Sequence, residues 1–117
     1  MYCREAFETH RVSSNLMPER AGMAEAIVAH VYGVPLHDMC GTTRGAPRVA
    51  LARQVAMYLT HIVFGMGVSE IAPAFGRNKA TAHHALKHVE DLRDDPGFDR
   101  TLRFLETLLR DAAGRAA

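Results

Sequence analysis

The sequence contains no apolar run approaching the roughly 18 residues that a helical membrane span requires, and only two cysteines, Cys3 and Cys40, in 117 residues. The first absence argues against a membrane helix in this stretch. The second excludes a disulfide framework, and both thiols are expected to be reduced and structurally minor. The opening MYCREAFETHR is polar from its third residue and offers no apolar signal core. The expected location is therefore the cytoplasm. No Gly-rich segment ends in Gly-Lys-Thr or Gly-Lys-Ser, so no nucleotide-hydrolysing module is expected, and the chain is not read as an enzyme. Strand signals are scarce, and the length suits one core that needs neither staples nor metals.

An excess of one charge is missing too, since 14 Lys and Arg face 13 Asp and Glu for a formal charge of +1. The average hides a pattern along the chain. Residues 1–43 are slightly acidic, and residues 89–117 return to acidic with Glu90, Asp91, Asp94, Asp95, Asp99, Glu106 and Asp111 against five arginines. Between them, Arg44, Arg48, Arg53, Arg77, Lys79 and Lys87 meet a single acid, Glu70, and His61, His83, His84 and His88 join them. A basic block of this kind is what a phosphate-binding surface needs. Read alone, it also fits a solvated face.

Periodicity and punctuation predict an all-α fold. Met23, Ile27, Val28, Val31 and Tyr32 share one face of a helix over 18–32, with Pro18 near its start and Gly33 past its end. VPLHDMCG reads as a brief helical turn closed by Gly41, and GTTRGAP over 41–47 as a basic loop carrying Arg44. From Arg48 to about Val63, RVALARQVAMYLTHIV is apolar around most of its circumference, which predicts a central buried helix. Gly65 and Gly67 end it. Ser69 is the expected N-cap of a short helix with Ile71, Ala74 and Phe75 facing inward, limited by Pro73. Gly76 breaks the chain, and Asn78 is expected to cap a second helix running to Leu92. Two short helices across a glycine turn form a helix-turn-helix. The second would present Arg77, Asn78, Lys79, Thr81, His83 and His84 to a major groove, with Lys87 one turn further along.

The stretches ARQVAMYL, VSEIAPAFGRN and TAHHALKHVEDL resemble the helix-turn-helix of the DNA-binding C-terminal domain, domain IV, of the bacterial replication initiator DnaA. The matching positions are Arg53 and Gln54, then Ser69, Glu70 and Ile71, then Phe75 and Gly76, across about residues 24–92. The resemblance implies a small helical domain, also Trp-repressor-like, that binds double-stranded DNA. Arg44, Arg48 and Arg53 would touch phosphates or the minor groove, and Lys79 to His84 would read bases. Where the family's recognition turn reads Asp-His-Thr-Thr-Val, this chain has Asn78, Lys79, Ala80, Thr81 and Ala82. Leu51 stands where the family inserts an arginine into the minor groove, with Arg48 one helical turn away. The initiator's own binding sequence is therefore not the expected target. Free-standing proteins of this type look like transcriptional regulators, including activators of phage-like and gene-transfer-agent clusters that work with a partner protein. A nucleoid-associated regulator is the expected function; a protein-interaction module, or a modulator of replication initiation without base readout, is the alternative.

Three segments follow: an N-terminal extension over 1–17, the helix-turn-helix domain over 18–93, and an amphipathic helix over 94–117. The last restarts at Asp94, Asp95, Pro96 and Gly97 and places Phe98, Leu102, Leu105, Leu108, Leu109 and Ala112 on one stripe. That stripe either finishes the core against an earlier helix or docks a second transcription protein or RNA polymerase, in a chain expected to be a monomer or weak dimer. His84 and His88, four residues apart with no carboxylate or cysteine beside them, are weighed as zinc ligands and set aside, so no metal or cofactor is expected. The methionines read as core filler.

Overall fold

The computed structural model describes residues 17–39, 41 and 46–116. The expectations for the extension, for Cys3 and Cys40, and for Arg44 lie outside the described residues, as do Thr42 and Thr43. Six helices account for nearly all of what is described: α1 (Met17–Tyr32), α2 (Leu36–Met39), α3 (Pro47–Phe64), α4 (Val68–Ala74), α5 (Lys79–Leu92) and α6 (Pro96–Ala116). No strand occurs among these residues.

Helix α3 is the hub, as its all-round apolar sequence predicts. Ala52, Val55, Ala56, Met57, Leu59 and Thr60 are all buried, with α1 and α5 packed along its length and α4 and α6 completing the surround. The Thr60 hydroxyl is sealed in this interior and donates back to the Ala56 carbonyl at 2.8 Å, which satisfies it without a partner helix. Pro47 begins α3, where a missing N–H costs nothing.

Helix α1 turns Ala21, Ala24, Glu25, Val28 and Ala29 inward. Their i, i+3, i+4, i+7, i+8 spacing makes one stripe, and its small residues let α1 approach α3 closely. Gly33, at φ +67°, reverses the chain, and the Val34 N–H reaches back to the Ala29 carbonyl at 2.9 Å to close the helix end.

The C-terminal stripe finishes the core. Leu102, Leu105 and Leu109 are fully buried in the same cluster as the residues of α1 and α3, and each such side chain contributes about 1.5–3 kcal/mol. Those three leucines are therefore covered by the chain itself. Phe104, on the outer side of α6, stays 55% exposed. Asp95 caps α6 by accepting the Phe98 N–H at 2.8 Å. Arg93 ties the α5–α6 corner together. It donates to Asp99 Oδ1 and Glu106 Oε2, both at 2.6 Å, and to the Tyr58 hydroxyl at 3.3 Å, while the Tyr58 hydroxyl donates to Glu90. Burial alone would lower the Arg93 pKa, but its hydrogen bonds to Glu106, Asp99 and Tyr58 outweigh this and raise it above the ordinary arginine value.

Candidate nucleic-acid interface

Helices α4 and α5 form a helix-turn-helix whose turn is set by Gly76. Its φ of +66° is a conformation that L side chains rarely adopt. There the Gly76 N–H bonds the Pro73 carbonyl and the Arg77 N–H reaches the Ala72 carbonyl at 2.8 Å. This double closure satisfies the last carbonyls of α4 and aims the chain into α5. At the other end of α4 the cap is not Ser69, as the sequence led us to expect, but Gly67. The Gly67 N–H donates to Glu70 Oε1 at 3.0 Å, and Ser69 is an exposed residue of the first turn. Burial of Ile71 and Ala72 decides that register.

Asn78 caps α5 as expected, its Oδ1 accepting the Thr81 N–H at 2.8 Å. The helix is anchored inward by Ala82, Ala85 and Val89. Lys79, Ala80, Thr81, His83, His84 and Lys87 are exposed. At about 100° per residue, Ala80, His84 and Lys87 form the outward ridge, with Lys79 and His83 on one flank and Thr81 on the other. Small Ala80 lets the backbone of the first turn come close to a partner surface. His84 and His88 stack with ring centroids 5.9 Å apart, and Lys87 pairs loosely with Asp91 at 3.7 Å. His83 and Lys87 also border a shallow groove of about 430 Å³ with Tyr58, His61, Ile62 and Val68. His61 Nδ1 lies 2.8 Å from the Met66 carbonyl, which fixes that ring.

The arginines behave differently from the expectation drawn on charge alone. Arg48 is exposed but donates to the Tyr32 and Gly33 carbonyls at 3.2 and 3.0 Å, the open end of α1. Arg53 is only 5% exposed, and its guanidinium donates to the Met39 and Asp38 carbonyls, each at 3.0 Å, at the end of α2. Arg77 donates to the Gly41 carbonyl at 2.6 Å. A phosphate contact by Arg53 does not fit that burial. Gln54, its neighbour, is half-buried. The desolvation of burial lowers the Arg53 pKa, the nearby Arg77 charge adds to this, and Glu25 and Asp38 oppose it. Burial likewise lowers Arg77, opposed by Glu25. Glu25, 3% exposed on the inner face of α1, did not emerge from the sequence reading. Its signal was present: an acid on the stripe set by Ala21, Val28 and Ala29.

A family model for the helix-turn-helix of the bacterial DnaA protein matches residues 24–89. The chain belongs to this DnaA helix-turn-helix family. Among relatives, the chromosomal replication initiator protein DnaA of Tropheryma whipplei is 30% identical over 86 residues, covering 72% of this chain and 18% of the relative. That of Laribacter hongkongensis is 36% identical over 86 residues, with the same coverage. The crystal structure of a DNA replication initiation factor superposes on 80% of this chain and 29% of its own with a TM-score of 0.73 at 32% identity. The chain thus spans under a fifth of the length of these two curated DnaA relatives. The matched segment takes in α4, the Gly76 turn and nearly all of α5, the helix-turn-helix read from the sequence. The chain is thus a DnaA-type DNA-binding domain, with α5 the second helix of its helix-turn-helix.

Proposed function

We propose that this chain binds double-stranded DNA with sequence preference and acts as a transcriptional regulator at the nucleoid. The observation that carries the reading is the division of labour along α5: Ala82, Ala85 and Val89 hold the helix, while Lys79, Ala80, Thr81, His83 and His84 are exposed at its capped N-terminal half. Such a helix end can enter a major groove, where Lys79 offers donors to guanine and Thr81 a hydroxyl and a methyl to base edges. Replacement of the family's Asp-His-Thr-Thr by Asn78, Lys79, Ala80 and Thr81 supports a target unlike the initiator's, and hence a regulator rather than an initiation factor. Lys87, exposed and only loosely paired with Asp91, supplies a sequence-independent phosphate contact, whereas Arg48 is held on the Tyr32 and Gly33 carbonyls.

The test is duplex selection from a random library, followed by genome-wide occupancy, each with Lys79→Glu alongside. A shared motif that is lost or altered in the variant supports base readout. Binding of all duplexes alike by both proteins removes the sequence-specific reading. Peaks confined to replication origins, with no change in nearby transcripts on deletion, favour a modulator of initiation.

A further inference from the structure

The polar groups that meet behind the recognition turn come from four separate elements. Glu25 belongs to α1, Arg53 to α3 and Arg77 to the link into α5, and the accepting carbonyls belong to Asp38 and Met39 at the end of α2 and to Gly41 beyond it. Glu25 and Arg53 are buried, and the Glu25 charge acts on both guanidinium groups. Buried Glu25 and Arg53 interact far more strongly than they would in water, and half-buried Arg77 is held beside them by its bond to the Gly41 carbonyl. A surface phosphate ligand needs a free, mobile cation. These arginines are neither.

We infer that buried Glu25 and Arg53, with half-buried Arg77, form one charge node that holds Gly41 and the end of α2 against the start of α5, making Arg77 a positioning residue for DNA readout rather than a phosphate contact. This rests on the DNA-binding function proposed above. A guanidinium suits the task because its fork delivers two directed N–H bonds from one charge: Arg77 reaches Gly41 with one nitrogen and the Gly76 carbonyl, at 3.4 Å, with the other. The contact to Gly41 spans 36 residues of sequence, so a shift on either side is transmitted to the other. Lysine keeps the charge and loses the fork.

The two roles predict opposite results for Arg77→Lys, measured by fluorescence anisotropy on the selected duplex and on a scrambled duplex across a salt series. A phosphate contact tolerates lysine, so both affinities and the salt slope hold. A positioning residue does not: the preference for the selected duplex falls about tenfold while the slope, set by the number of phosphates neutralised, is unchanged. Glu25→Gln, at a residue too buried to touch DNA, is expected to lower the same preference, and the double variant to lose less than the product of the two single losses. Arg77→Met separates the cases again: weakening of both duplexes alike, with a slope reduced by about one, overturns the inference. Should Glu25→Gln fail to fold, the Arg77 variants decide alone. Amide hydrogen exchange without DNA gives an independent readout. Arg77→Lys is expected to speed exchange at Gly41 and leave Val34 unchanged; unaltered Gly41 exchange overturns the node. A wild-type chain that binds neither duplex overturns the proposed function, and exchange at Gly41 then decides the node by itself.

Discussion

Two arginine clusters hold this domain together, and they are built from different acceptors. Behind the Gly76 turn, Arg53 and Arg77 donate to main-chain carbonyls with Glu25 buried nearby. At the far end of α5, Arg93 donates to the carboxylates of Asp99 and Glu106 and to Tyr58. Carbonyls are plentiful where short helices end without enough following turns to satisfy them, as α2 does after four residues. An arginine there completes a helix terminus and holds irregular chain in place. Carboxylates instead come from side chains on regular helices, so Arg93 fastens α6 to a corner that already has its own backbone bonds. One cluster shapes an irregular segment; the other locks two regular elements.

The comparison predicts unequal costs. Arg53→Ala removes a buried cation from two carbonyls and from Glu25, and is expected to cost about 3–5 kcal/mol, a large part of the stability of a domain this size. Urea unfolding measures it, and a loss below about 1 kcal/mol would mean that the carbonyls find water instead. Arg93→Ala, at a side chain 17% exposed, is expected to cost about 1–3 kcal/mol in the same assay. Equal losses at the two sites would break the contrast.

Acid sharpens it. The hydrogen bond from Arg93 holds the Asp99 carboxyl below its ordinary value of 3.8. A depressed folded-state value contributes stability above the unfolded value, and that stability is lost as pH falls through the folded one. Melting temperatures of the wild type should therefore fall as pH drops below about 4 partly through this contact, and Arg93→Ala should flatten that portion of the profile. Gly76→Ala is expected to cost about 1 kcal/mol, since a β-carbon there meets no atom within 4 Å and only the positive φ resists it. Least of all, Phe104→Ser should change stability by no more than about 0.5 kcal/mol, in contrast to Leu105→Ala beside it, where a fully buried side chain is lost.

The helices were legible in the sequence because each advertises itself locally. Apolar spacing marks α3 and α6; in α1 it marked the helix but misplaced its inward face, since of Met23, Ile27, Val28, Val31 and Tyr32 only Val28 is buried and Val31 is 36% exposed, the small Ala21, Ala24 and Ala29 lying inward instead. Gly33, Gly65 and Gly76 take the left-handed positions that end α1, α3 and α4, and Asn78 caps α5 as its residue type implies. Ser69 misled because serine is the better cap in isolation, although Glu70 three residues after Gly67 was the more informative signal. The places of Arg48, Arg53 and Arg77 were illegible for a deeper reason. A side chain that ends on a carbonyl leaves no trace in the sequence at its destination, since every residue carries one. Counting basic residues along 44–88 therefore overstated the charge facing outward, and Glu25 was passed over because one acid in an apolar stripe does not disturb the period.

The anchoring of α5 by two alanines and a valine has a consequence for how such a domain can diverge. Positions 79, 80, 83 and 84 are exposed and hold up nothing in the interior, so they can be rewritten independently of stability. A library randomised at those four positions should consist mostly of folded proteins. Under the proposed function its members would differ in the duplex they prefer, and new specificity would arise by single steps with no compensating change in the core.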